Sequence, residues 1–215
     1  MNKILYKNKA SLKKKLGVSK NPRLLIHAIN DFEKNTDLLV SDRTSSKEVS
    51  FDCKKGCNIC CNLRVEVLPP EAFNIATHIR SLPENVQKDY LIKLKDHSEY
   101  AVGKKFVEYN KPCPFLTSEG SCGIYSVRPH KCRAYLSKSV SACNSDRDAD
   151  EDQKLRMATS QLANDSVQIY KSKKLIMHPI ELGQGVLTTL ENKEIETKWA
   201  KGEQVFELLP EKILL

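Results

Sequence analysis

The amino-acid sequence predicts a mainly α-helical protein with a small cysteine-rich metal-binding core that contains a short β-hairpin. Three observations carry that expectation. All eight cysteines fall between Cys53 and Cys143, and four of them, Cys53, Cys57, Cys60 and Cys61, lie within nine residues. Elsewhere the apolar residues recur every three or four positions, the period of a helix. Around Gly120 two short arms, Phe115-Leu116 and Ser121 to Tyr125, flank a Thr-Ser-Glu-Gly turn in the pattern of a hairpin.

Residues 1–20 hold Lys3, Lys7, Lys9, Lys13, Lys14, Lys15 and Lys20 and no acidic residue. Ile4, Leu5, Leu12 and Leu16 never join into a signal-peptide core, so the segment is expected to be a flexible basic tail. Residues 21–50 open with Asn21-Pro22, an N-cap and a proline at the first helical position. Leu24, Leu25, Ala28, Ile29 and Phe32 then continue at helical spacing to about Leu39. Ser41 to Ser50 reads as the linker into a cysteine-cluster domain over residues 51–143.

Within that domain, Leu63 to Leu68 alternates like a short strand, which Pro69-Pro70 ends. A helical insertion over residues 70–110 follows. Ala72, Phe73, Ile75, Ala76 and Ile79 give one face up to Leu82, and Pro83 opens a second helix through Val86, Tyr90, Leu91, Leu94, Val102 and Phe106. Pro112, Cys113 and Pro114 break it. Two antiparallel helices would return Cys113 to the neighbourhood of Cys61. In the C-terminal segment, 144–215, a polar loop from Asn144 to Asp152 leads to a helix over Lys154 to Lys171. Pro179 then precedes another helix through Leu182, Val186, Leu187 and Leu190, and both are expected to pack against the cluster.

Charged residues at 29% and hydrophobic residues at 40% suit a protein in water. No stretch approaches the roughly 20 apolar residues of a membrane span. The expected compartment is the cytoplasm, where thiols stay reduced and clustered cysteines bind metal more readily than they form disulfides. The net charge of +8 invites a nucleic-acid partner, yet most of the excess sits in the tail. Eight thiolates on two divalent ions would bring it to about +4. Aromatic residues are only 7%, and no basic helix is seen interleaved with stacking rings, so nucleic acid is not expected as the partner.

Cys57 and Cys60 stand in C-x2-C spacing, which lets two thiolates reach one ion from one tight turn, with Gly56 available for the unusual backbone angle. Such a half-site needs a second pair, and Cys113, Cys122, Cys132 and Cys143 supply it. Zinc and iron both accept four thiolates, so the eight cysteines allow two metal ions or two iron-sulfur clusters. The side chains of adjacent Cys60 and Cys61 diverge on an extended or helical backbone, so each is expected to serve a different centre. Arg128, His130, Lys131 and Arg133 beside Cys132 would favour its thiolate. His130 is a further candidate ligand, whereas His27, His78, His97 and His178 are expected to be ordinary, partly exposed residues.

Cys53-x3-Cys57-x2-Cys60-Cys61, Cys113-Pro-Phe-Leu and Cys122-Gly-Ile-Tyr-x2-Arg128-Pro129-x2-Cys132-Arg133 together resemble the YkgJ-type cysteine-cluster family. These CxxCxxCC proteins are described as zinc- or iron-chelating. The resemblance runs from about Phe51 to Cys143 and implies a thiolate-bound metal. A flagellin lysine N-methylase in the same group raises an alternative, a protein lysine methylase dependent on S-adenosylmethionine. Cys53, Cys57 and Cys60 also match the three-cysteine spacing of radical S-adenosylmethionine proteins, but those build a barrel of alternating strands and helices. Gly183-Gln-Gly185 lies inside a helical pattern rather than at a strand-to-helix turn. A zinc-stabilised nucleic-acid binder using the lysine tail is the remaining alternative. The leading expectation is a metal-binding protein whose centre is structural or redox-active.

Overall fold

At 100° per residue, Leu5, Leu12 and Leu16 fall within about 40° of one another on a helix. That stripe, invisible as a linear run, folds the N-terminal segment into α1 (Asn2–Gly17) with Asn8, Leu12 and Leu16 buried. The expected flexible tail is therefore a docked helix. A computed structural model describes residues 1–17, 21–54, 56–145 and 149–207. Residues 18–20 of the expected tail, 146–148 of the expected loop and 208–215 lie outside the described residues.

Asn21 caps α2 (Pro22–His27), its side chain accepting the Arg23 N–H at 2.9 Å, with Pro22 in the first turn. The chain steps at Ala28 and continues as α3 (Ile29–Ser45), past the expected end at Leu39 and through the first half of the expected linker. Arg43 holds this extension. Its guanidinium donates two bonds of 2.8 Å to Asp152 and one of 2.6 Å to Glu48. A bidentate pair of this kind fixes geometry as well as charge.

The expected strand shortens to β1 (Glu66–Val67), whose antiparallel partner is β2 (Ile180–Glu181) from the far end of the chain. Pro69 and Pro70 begin α4 (Pro69–Arg80) rather than merely ending the strand, because a first turn needs no N–H donors. The next helix, α5 (Glu84–Ala101), starts after Pro83 as expected. It stops at Ala101, short of Phe106, and Gly103 takes a φ of +71° just beyond. The hairpin is present in narrow form. Leu116 and Cys122 make a single antiparallel bridge, Thr117 N–H donates to Ser121 O at 2.8 Å, and Gly120 turns at φ +73°.

Among the described residues, five further α-helices follow: α6 (His130–Ala134), α7 (Val140–Ser145), α8 (Gln153–Lys171), α9 (Leu182–Glu191) and α10 (Ile195–Ala200). The first two and the last carry too few apolar positions to be legible as helices in sequence. The expected helices over 154–171 and after Pro179 are α8 and α9. Both legs of the insertion, α4 and α5, lie chiefly against α9, while α1 and α3 pack on α8.

Gly183 and Gly185 sit within α9, where a Cβ would come within 2.4 Å of His97 Nδ1 and of Ile180 Cδ1 respectively. The Gly-Gln-Gly pattern is thus a packing device. A continuous apolar core runs from Leu12 to Phe206. At its centre Trp199 meets the edge of Phe73 at 5.3 Å and donates its indole N–H to Ile176 O at 2.7 Å. Among the described residues, no helix is long and apolar enough to cross a membrane.

His97 corrects the sequence expectation. It is 4% exposed, hydrogen-bonded to the buried Tyr109 hydroxyl and 3.6 Å from a Glu181 oxygen. Burial depresses its pKa to about 4, with Lys111 and Arg64 pushing the same way and Asp96 opposing.

Candidate metal centre

The first cysteine group is held by turns rather than regular structure. Gly56 adopts φ +90°, as the C-x2-C loop requires, and the Cys57 N–H closes the turn onto Lys54 O at 3.0 Å. Residues Ile59–Asn62 then form one 3-10 turn carrying Cys60 and Cys61. On such a turn neighbouring side chains diverge, yet the Cys61 thiol still acts on Cys60 and raises it.

The second group folds onto the first through the main chain. Cys113 N–H donates to Cys61 O at 2.7 Å, and the Asn58 side chain donates to Gly120 O in the hairpin turn at 3.1 Å. On the other side, Ser137 N–H donates to Cys53 Sγ at 3.2 Å and Asp52 N–H to Ser137 O at 3.1 Å. The Asp52 carboxylate accepts the first N–H of α7, from Val140, at 3.0 Å. This seats α7, and Cys143 with it, against the Cys60-Cys61 turn.

The thiols feel this convergence. Burial raises the Cys53 thiol, the Ser137 N–H opposes it, and Cys57, Cys60 and Cys143 push it further up. Cys60 is raised first by the neighbouring Cys61 thiol and then by burial. Burial leads again for Cys113, with Cys132 and Cys122 adding to it and the Phe115 N–H opposing. Cys122 is likewise raised by burial, against the Ile124 N–H, Arg128 and Arg133. Cys132 lies exposed at the surface, and its thiol is raised by desolvation first and then by Cys60 and Cys122, with Arg128 opposing.

The charges that act on these thiols link Cys53 with Cys57, Cys60 and Cys143, and Cys113 with Cys122 and Cys132, while Cys60 also acts on Cys132. All eight cysteines are free thiols. Among the described residues, no three His, Cys, Asp or Glu side chains already stand in a metal-holding group. The donor set nevertheless fits a thiophilic cation. The Cys53 sulfur already accepts a main-chain N–H, which favours the thiolate, and Arg128 and Arg133 act on Cys122 against accumulated negative charge. Loading such a set releases protons from thiols that burial keeps neutral.

His130 is built into the core. Its ring stacks on Phe32 at 4.5 Å, its Nδ1 is 2.9 Å from the Thr36 hydroxyl, and its backbone N–H donates to the Glu71 carboxylate at 2.7 Å. Burial takes its pKa down to about 3, with Lys131 and Arg133 adding to the effect. Arg133 is largely committed elsewhere, to Asp37, Glu33 and the carbonyls of Ser126 and Arg128. Glu33 and Glu71, spaced across two helices, gave no linear signal in the sequence. Both line this buried polar layer beneath α6.

Residues 52–156 match the model of the CxxCxxCC family, described as "Putative zinc- or iron-chelating domain". That is the family the cysteine spacing resembles, and its description supports metal binding by the cysteines. No curated protein and no solved structure matches the chain.

Proposed function

Starting from a CxxCxxCC domain over residues 52–156, we propose that the chain chelates zinc or iron through thiolates drawn from both cysteine groups, and that the centre is structural. The single observation carrying this reading is the direct bond between the groups, Cys113 N–H to Cys61 O at 2.7 Å. It anchors the return of the 51 residues between them to the vicinal pair. In this reading Cys53, Cys57 and Cys143 take one sulfur of the Cys60-Cys61 pair, and Cys113, Cys122 and Cys132 take the other. A bound ion supplies the crosslink that fastens the hairpin, α6 and α7 to the 53–61 loop, and metal binding and local folding then share one free energy. The reducing cytoplasm is the compartment that suits eight free thiols.

Anaerobic purification followed by metal analysis and an absorption spectrum tests the proposal. Colourless protein with stoichiometric zinc, or iron with sulfur-to-metal charge-transfer bands, supports it. Protein free of both metals that binds neither on titration refutes it.

A further inference from the structure

We propose that the outward face of α1 is a docking surface for single-stranded nucleic acid, gripping phosphates without reading sequence. The helix carries Lys3, Lys7, Lys9, Lys13, Lys14 and Lys15 and no acidic residue. Docking sorts these lysines into two sets. Lys9 and Lys15 flank the buried stripe and are spent on the protein itself, against Asp165 at 2.9 Å and Asp31 at 2.7 Å. Lys3, Lys7, Lys13 and Lys14 are exposed and form no ion pair among the described residues.

At 100° per residue, Lys3, Lys7 and Lys14 fall within about 40° of one another, directly opposite Asn8, Leu12 and Leu16. With a rise of 1.5 Å per residue they form a row about 16 Å long. Tyr6 stands beside that row with 75% of its surface exposed. Cations along a line with an accessible ring among them are what a phosphate backbone and an unstacked base require. A lipid surface is the poorer fit, because the apolar face that an interfacial helix would insert is already buried against α8 and α3. In sequence the same lysines look like a solvated tail. Only the docking of α1 gives them a fixed row and a neighbouring ring.

The test is fluorescence anisotropy of labelled mixed-sequence RNA and DNA strands of about 20 nucleotides with the full-length protein, at about 50 and 200 mM salt. Neutralising three or four phosphates predicts about 20- to 50-fold weaker binding at the higher salt, with comparable affinity for both sugars. The variant Lys3→Gln/Lys7→Gln/Lys14→Gln should bind at least about tenfold more weakly and lose most of the salt dependence. Tyr6→Ala should bind about fivefold more weakly with the salt dependence intact. The remote pair Lys88→Gln/Lys93→Gln on α5 should bind as the parent does, and circular dichroism should show all variants folded. The proposal is overturned by no binding at the lower salt, by a folded triple variant that binds and responds to salt as the parent does, or by a strong preference for one sugar. Tighter binding to phosphatidylserine vesicles than to either strand would also overturn it.

Discussion

Replacing Leu12 by alanine tests whether α1 belongs to the fold. Leu12 is 0% exposed, and beside it the buried Asn8 donates to Ser166 at 3.0 Å and accepts from Asn35 at 3.1 Å. Those bonds fix the register of α1 on α8 and α3, so the helix cannot slide to fill a hole. Truncating a fully buried leucine where collapse is blocked costs about 3 kcal/mol, within a usual span of roughly 2–5. In a chain of this size that lowers Tm by about 6–12 °C. Urea unfolding at fixed metal loading should show a lower midpoint with an unchanged slope. Lys14→Ala, on the opposite face, should stay within about 0.5 kcal/mol of the parent. If Leu12→Ala also stayed within that margin, α1 would be a loosely attached arm and its packing in this fold would be wrong.

If the cysteine groups share sites, Cys113→Ser should increase alkylation of Cys60 or Cys61 in the metal-loaded protein, read by peptide mass spectrometry; labelling confined to Cys122 and Cys132 would indicate independent modules. Glu33 titrates near 8 in the fold because of burial first and Glu71 second, with Arg133 opposing. Its carboxyl is held neutral well above the unfolded value of 4.5, so its contribution to stability is complete below about pH 4.5 and is lost as pH rises toward 8. Glu33→Gln should therefore flatten the decline of Tm between pH 5 and 8 relative to the parent, and parallel profiles would contradict the assignment. Gly183→Ala should destabilise by about 1–3 kcal/mol, because its Cβ meets a His97 ring pinned by Tyr109, whereas the clash at Gly185 falls first on the rotatable Cδ1 of Ile180. Thermal melts that rank Gly185→Ala as the more damaging change would count against that picture of α9.

The elements legible in sequence were those whose signal is local. Asn21-Pro22, Pro83 and the apolar spacing of 155–170 mark helix starts and faces within a few residues, and α2, α5 and α8 follow them. What escaped depends on distant partners. The extension of α3 to Ser45 rests on Arg43 meeting Asp152, and β1 is completed by β2 from the other end of the chain. The lysines of α1 hid a leucine stripe because charge dominates its composition. At the centre, cysteine spacing showed which residues could gather. It could not show that Ser137 would cap Cys53, since that donor is a main-chain atom with no side-chain signature. His97 looked unremarkable for a related reason, since Tyr109 and Glu181, which surround it, come from a loop and a distant strand.

X-ray absorption at the metal edge of the loaded protein tests the central claim most directly. Thiolate chelation by the two cysteine groups predicts a first shell of about four sulfurs near 2.3 Å, falling in sulfur count in both Cys57→Ser and Cys113→Ser. A shell dominated by nitrogen or oxygen at about 2.0–2.1 Å, or a sulfur count that only one of the two variants changes, would contradict it.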